Sequence, residues 1–146
     1  MTIFSQDAQV MALQCVFDTK TLHAFLINDT TAATITDTST VTDAVAGEIG
    51  AGNIARVLVN DHTGTPLSAA WSVANSRAEV TVTLTFENTS TTTAYSYGSL
   101  VVIYDGSITV GNTTGSMFVT RTPLVSPETI NPENTRDISA TIFLND

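Results

Sequence analysis

Residues 79–87 alternate without a break, with Val80, Val82, Leu84 and Phe86 on one side of an extended chain and Thr81, Thr83 and Thr85 on the other. That period of two predicts a half-buried β-strand with a wet or partner-facing threonine side. Residues 137–144 repeat the pattern, setting Ile138, Ala140, Ile142 and Leu144 against Ser139, Thr141 and Phe143. Residues 94–104 predict one long strand. Its centre, Leu100, Val101, Val102 and Ile103, is apolar on both faces, as a central strand requires. Shorter strands are predicted at 22–28, 54–60, 71–74, 107–110 and 117–121.

Helical spacing occurs once, at residues 5–17. Ser5 is placed to cap a helix, Asp7 suits its first turn, and Ala8, Met11, Ala12, Cys15 and Val16 form the expected buried stripe. Residues 29–46 are rich in Thr, Ala and Asp and read as a long loop with an edge strand at most. Glycine marks turns at 47–52, 105–106 and 111–115, and residues 61–66 and 88–93 read as a turn and a polar connection. Residues 123–134 read as a proline-punctuated crossing. Short strands at intervals of roughly 10 residues predict a mainly β fold, an antiparallel β-sandwich of jelly-roll type with one short N-terminal helix. The 146 residues are expected to form a single domain over 1–146.

Composition sharpens this in two respects. Charged residues are only 13% of the chain, about half the usual share, so the polar surface must be made of Thr, Ser and Asn. The net charge is −9, and the five bases, Lys20, Arg56, Arg77, Arg121 and Arg136, form no cluster. Nucleic acid and anionic membrane are therefore not expected partners. No apolar run reaches the length of a membrane span, and residues 1–18 lack the basic start of a signal peptide, so the chain is expected to stay in a cytosol. The sequons at Asn28, Asn88 and Asn112 then read as chance products of a Thr- and Asn-rich chain.

Catalytic and ligand chemistry find little purchase, and no catalytic, cofactor-binding or metal residue is assigned. Gly50-Ala51-Gly52 lacks dinucleotide spacing and reads as a turn. His23 reads as a satisfied half-buried side chain. His62 lies in a turn beside Asp61, but no nucleophile motif accompanies the pair. Cys15, the sole cysteine, reads as a buried small hydrophobe. One cysteine and two isolated histidines do not make a zinc site; a surface calcium is left open. Thr34, Thr36, Thr38, Thr40 and Thr42, with Thr81, Thr83 and Thr85, suggest an ice-binding array, but their spacing is not periodic. Tyr95, Tyr97, Tyr104 and Trp71 suggest a sugar-stacking platform, against which core packing is the stronger reading.

Four short motifs along most of the chain carry a resemblance. Residues 12–18 run into Leu22-His23-Ala24-Phe25-Leu26; Gly47-Glu48-Ile49-Gly50 leads to Ala55-Arg56; Thr85-Phe86 and Tyr97-Gly98 precede Asp105-Gly106; and Pro127-Glu128-Thr129-Ile130 comes before the last strand. In this order they resemble small structural proteins of tailed bacteriophages, the tail-fibre-like or minor virion proteins, although Ile54 stands where that family commonly has Tyr. The resemblance implies no enzymatic activity and no cofactor. It implies a virion subunit assembled in the host cytoplasm, partnered by the major capsid protein or tail proteins and self-associating as a homo-oligomer such as a trimer. A capsid decoration or cement protein on the head is the first expectation. A tail-fibre or tail-tip module is the alternative, and a carbohydrate-binding sandwich module the reading from another class. The helix, residues 29–46 and residues 123–134 are the expected docking elements.

Overall fold

The computed structural model describes residues 5–36, 38–118 and 127–144. In chain order its elements are α1 (Gln6–Thr19), β1 (Leu22–Ile27), α2 (Asp29–Ala32), α3 (Val41–Val45), β2 (Val57–Asn60), β3 (Ala70–Ser72), β4 (Arg77–Glu87), β5 (Tyr95–Tyr97), β6 (Ser99–Tyr104), β7 (Ser116–Phe118), β8 (Glu128–Ile130) and β9 (Thr135–Phe143). The chain is mainly β and its strands pair antiparallel, in a four-stranded sheet β2-β1-β6-β7, a three-stranded sheet β3-β4-β9 and a ribbon β5-β8.

The alternating strands form where period two places them. β4 and β9 pair from Glu79↔Phe143 to Glu87↔Thr135, burying Leu84, Phe86, Ala140 and Ile142 and leaving Thr81, Thr83 and Thr85 exposed. β1 and β6 occupy the middle of their sheet because both of its faces are covered. Leu22, Ala24, Leu26, Leu100 and Val102 face one core, which also takes in side chains of α1, β4 and β9. Phe25, Ile27, Val101 and Ile103 face a second core closed by Ala32, Ile35, Val41 and Ala44.

Those last four residues correct the reading of 29–46 as a loop with an edge strand, and with it the expectation of a single helix. Asn28 caps α2 by accepting from Thr31 N–H at 2.7 Å. Thr40 and Asp43 form a reciprocal capping box that starts α3. Neither helix is long enough to persist alone, and each is held by its apolar side against the sheet.

The predicted strand 94–104 divides at Gly98, β5 pairing with β8 and β6 with β1 and β7. Gly98 N–H donates to Ile27 O at 2.8 Å, and a β-carbon there would stand 2.5 Å from Asp29 Cα. Only glycine lets the chain pass from one sheet to the other at that point. The strand predicted at 54–60 starts at Val57, with Ile54 forming a lone bridge to Asn88. Residues 107–110 are turn rather than strand, Ser107 Oγ accepting from Thr109 N–H. Of the strand predicted at 117–121, residues 119–121 lie outside the described residues, as do 123–126 of the predicted crossing; the rest of that crossing contains β8.

α1 forms with the predicted cap, Ser5 Oγ accepting from Ala8 N–H at 3.2 Å, but with a different face inward. Leu13 and Phe17 are buried, backed by Val10 and Val16, whereas Met11, Ala12 and Cys15 face out. The helix carries apolar residues on two faces, and the one with Leu and Phe covers more core surface. Gln14 and Asn60 tie its inner side down. The Gln14 amide bonds both Leu67 O and Ala69 N–H, and Asn60 donates to Phe17 O and Lys20 O while accepting from Leu67 N–H.

Candidate functional site

A buried charged cluster is built on Arg56, four residues past the Gly50–Gly52 turn. Gly50 and Gly52 have φ of 96° and 95°, a left-handed bend that reverses the chain between Glu48 and Arg56. Arg56 Nε and Nη2 donate to the two carboxylate oxygens of Glu48 at 2.8 and 2.7 Å. Its remaining donors reach Ser107 O at 2.7 Å and Asn112 O at 2.9 Å, while Glu48 accepts from Gly111 N–H at 2.8 Å. The side chains of the pair are 0% and 3% exposed, and the guanidinium lies 4.6 Å above the Phe25 ring. One buried ion pair thus holds residues 107–112 against the four-stranded sheet.

His23 lies on the same side of β1 as Phe25, between Leu58 of β2 and Ile103 of β6. It is 9% exposed and its Nδ1 has no hydrogen-bond partner, which corrects the expectation of a satisfied histidine. Burial, and then the Arg56 charge, push its pKa below the ordinary imidazole value.

A second polar cluster joins the short ribbon to the large sheets. Tyr97 is buried and donates its hydroxyl to Glu128 at 2.8 Å, and Arg136 bonds the same carboxylate oxygen. Burial first, then the Glu128 contact, raises the Tyr97 phenol to about 12. Nearby Asn88, fully buried, donates to Thr93 O, Ile130 O and Asn131 O and accepts from Ser90 N–H. The asparagine of one sequon is therefore a structural hub, and Asn28 of another is the α2 cap. The aromatics named as a sugar platform are dispersed: Tyr97 is in the core, Tyr95 and Tyr104 pack beside it, and Trp71 is half-buried on β3.

The other singled-out residues are separate from these clusters. His62 Nδ1 bonds Thr21 Oγ1 at 2.7 Å, while the Asp61 carboxylate accepts from Thr63, so the two are not arranged as a base and its orienting acid. Thr34 to Thr42 serve turns and caps rather than a ladder, with Thr36 bonding Thr38 and Thr40 starting α3. Cys15 is exposed, which corrects its assignment to a buried stripe. Among the described residues no group of three or more His, Cys, Asp or Glu side chains is placed to hold a metal, and no helix is long and apolar enough to cross a membrane.

The β4–β9 pair presents an extended, regular outer face. On the exposed side of β4 and β9, Thr81 bonds Thr141 at 2.9 Å and Thr85 donates to Asp137 at 2.6 Å, with Thr83 opposite Ser139 between them. Among the described residues β9 has no strand on its far side. Among the described residues, large apolar side chains stand exposed at Met11 on α1, Leu58 on β2, Val73 after β3 and Ile108 in the segment held by Arg56. The sequence had pointed to the threonine face of 79–87, but the Glu48–Arg56 pairing carried no signal beyond a glycine turn between opposite charges. No family model matches the chain, no similarity to a curated protein is found, and no solved structure matches it.

Proposed function

We propose that this chain is a non-enzymatic structural subunit of a tailed-bacteriophage virion, a decoration or cement protein on the head exterior. We also read its two larger sheets as the layers of a sandwich around their shared core, with the helix closing one side. The observation that carries the functional reading is the β4–β9 ribbon. It presents a regular, hydroxyl-lined face beside a nine-residue strand that, among the described residues, has no strand on its outer edge. Such an edge accepts an extended chain from a neighbouring subunit through main-chain hydrogen bonds. The dispersed exposed apolar residues add to this, since a particle subunit touches neighbours on more than one side. The interior polar groups fit the same role: Arg56, Glu48, Asn88 and Gln14 hold loops in place. The motif resemblance to phage virion proteins supplies the particle. A head location is our first reading and a tail-fibre or tail-tip module the alternative; residues 1–146 carry no repeat of fixed period.

The test is co-sedimentation of the purified protein with particles lacking it, scored separately on heads and tails. Stoichiometric binding to heads is expected. Binding to tails alone moves the protein to a fibre or tip. Binding to neither refutes the virion reading, and a positive glycan array in that case would favour the carbohydrate-binding module.

A further inference from the structure

We propose that His23 is the trigger of an acid-released latch, in which its protonation loosens the grip of Arg56 and Glu48 on residues 107–112. The geometry supplies each part. His23 is a buried imidazole whose Nδ1 meets no acceptor, so a proton there finds no compensating hydrogen bond. Among the described residues, the buried charged groups on its side of the sheet are Arg56 and Glu48, which are paired with each other. Its strand neighbours Leu58 and Ile103, and Met117 beyond Ile103, carry no charge. The latched segment contributes no ionisable side chain, and Asp105 just before it is bound to Lys20. Asp29 and Asp43 of the covering helices are exposed to solvent.

With His23 neutral, the buried cluster holds one cation and one anion. Protonation makes two cations against one carboxylate, with the Arg56 and Glu48 side chains themselves shut off from water. The cluster relieves this by letting one cation reach water, and residues 107–112 are bonded directly to the pair. Three bonds hold that segment to the pair: Arg56 to Ser107 O and to Asn112 O, and Gly111 N–H to Glu48. Opening exposes Ile103, whose side chain packs against Gly106.

The direction with pH follows from linkage. Burial and Arg56 lower the His23 pKa in the closed form below 6.5. The closed form therefore binds fewer protons than an opened one in which His23 is hydrated. Its advantage is complete above 6.5 and falls as the pH drops from there toward the closed-state value.

The experiment is a pH titration by NMR on the His62→Gln variant, which leaves a single imidazole to follow. Amide exchange at Gly111 and Val102 is measured in parallel and corrected for the intrinsic rate. The expected result is a His23 midpoint below 6.5 and a loss of Gly111 protection of about tenfold or more across that midpoint, while Val102 in β6 keeps its protection. His23→Leu should abolish the loss at Gly111, and His23→Gln serves the same purpose if the leucine variant does not fold. Constant protection at Gly111 while His23 titrates would overturn the proposal. Persistence of the loss without the imidazole would overturn it too, as would simultaneous loss at Val102, which reports unfolding rather than a latch.

Discussion

Replacing Arg56 by Met tests the most consequential contact in the interior. Methionine retains an apolar stem against Phe25 but removes every donor of the guanidinium. The Glu48 carboxylate, 3% exposed, keeps only the Gly111 N–H, and the carbonyls of Ser107 and Asn112 lose their Arg56 donor. Breaking a buried ion pair from one side costs about 3–5 kcal/mol, most of it from the abandoned charge. That is a large part of the roughly 5–15 kcal/mol that stabilises a domain. For a chain of this size it corresponds to a fall in Tm of about 10–15 °C. Urea denaturation followed by the fluorescence of Trp71 measures the loss. Removing the orphaned charge as well, in Glu48→Leu/Arg56→Met, should restore about 1–2 kcal/mol, because the remaining carbonyls cost less than a buried carboxylate. A loss under about 1 kcal/mol in the single variant would refute the reasoning. So would a double variant no more stable than Arg56→Met.

Three further outcomes are expected. Asn88→Ala should lower stability by about 2–4 kcal/mol in the same urea assay, since three carbonyls and the Ser90 N–H lose their partner at a fully buried site. The Glu128 carboxyl is held below its ordinary 4.5 by the Tyr97 hydroxyl and then Arg136. Its contribution is therefore present above 4.5 and lost as pH falls through the folded value, so Glu128→Gln should flatten the acid limb of stability against pH. Cys15, being exposed, should react with an aromatic disulfide reagent in the native protein without prior unfolding and with no drop in Tm; a thiol that reacts only in denaturant would contradict its placement.

How far the pattern of residues carries can be seen in α1. Ser5 and Asp7 act through bonds and dipoles within one turn, so the start of the helix was readable. Its buried face was not, because Ala8-Met11-Ala12-Cys15 and Val10-Leu13-Phe17 are both apolar stripes, and only the shape of the sheets decides which one packs. α3 shows the complementary case. The Thr40-x-x-Asp43 capping box is written in the sequence, but five residues do not make a stable helix until Val41 and Ala44 dock on Phe25 and its neighbours. The place of β9 at the end of its sheet, among the described residues, was unreadable because edge status depends on which strands lie alongside.

Local chemistry therefore accounts for the alternating strands 79–87 and 137–144, the double-sided centre of β6, the glycine turns and the cap of α1. Each rests on interactions within a few residues or on the period of two imposed by the pleat. Tertiary structure alone decided the division of 94–104 at Gly98, the outward turn of Cys15, the pairing of Arg56 with Glu48 and the isolation of His23 beside them. Those depend on which distant segments meet, as when Asp29 crowds Gly98 or residues 107–112 close over the buried pair. A sequence pattern records how each residue wishes to be solvated, whereas burial and partners are fixed only when the whole chain has packed.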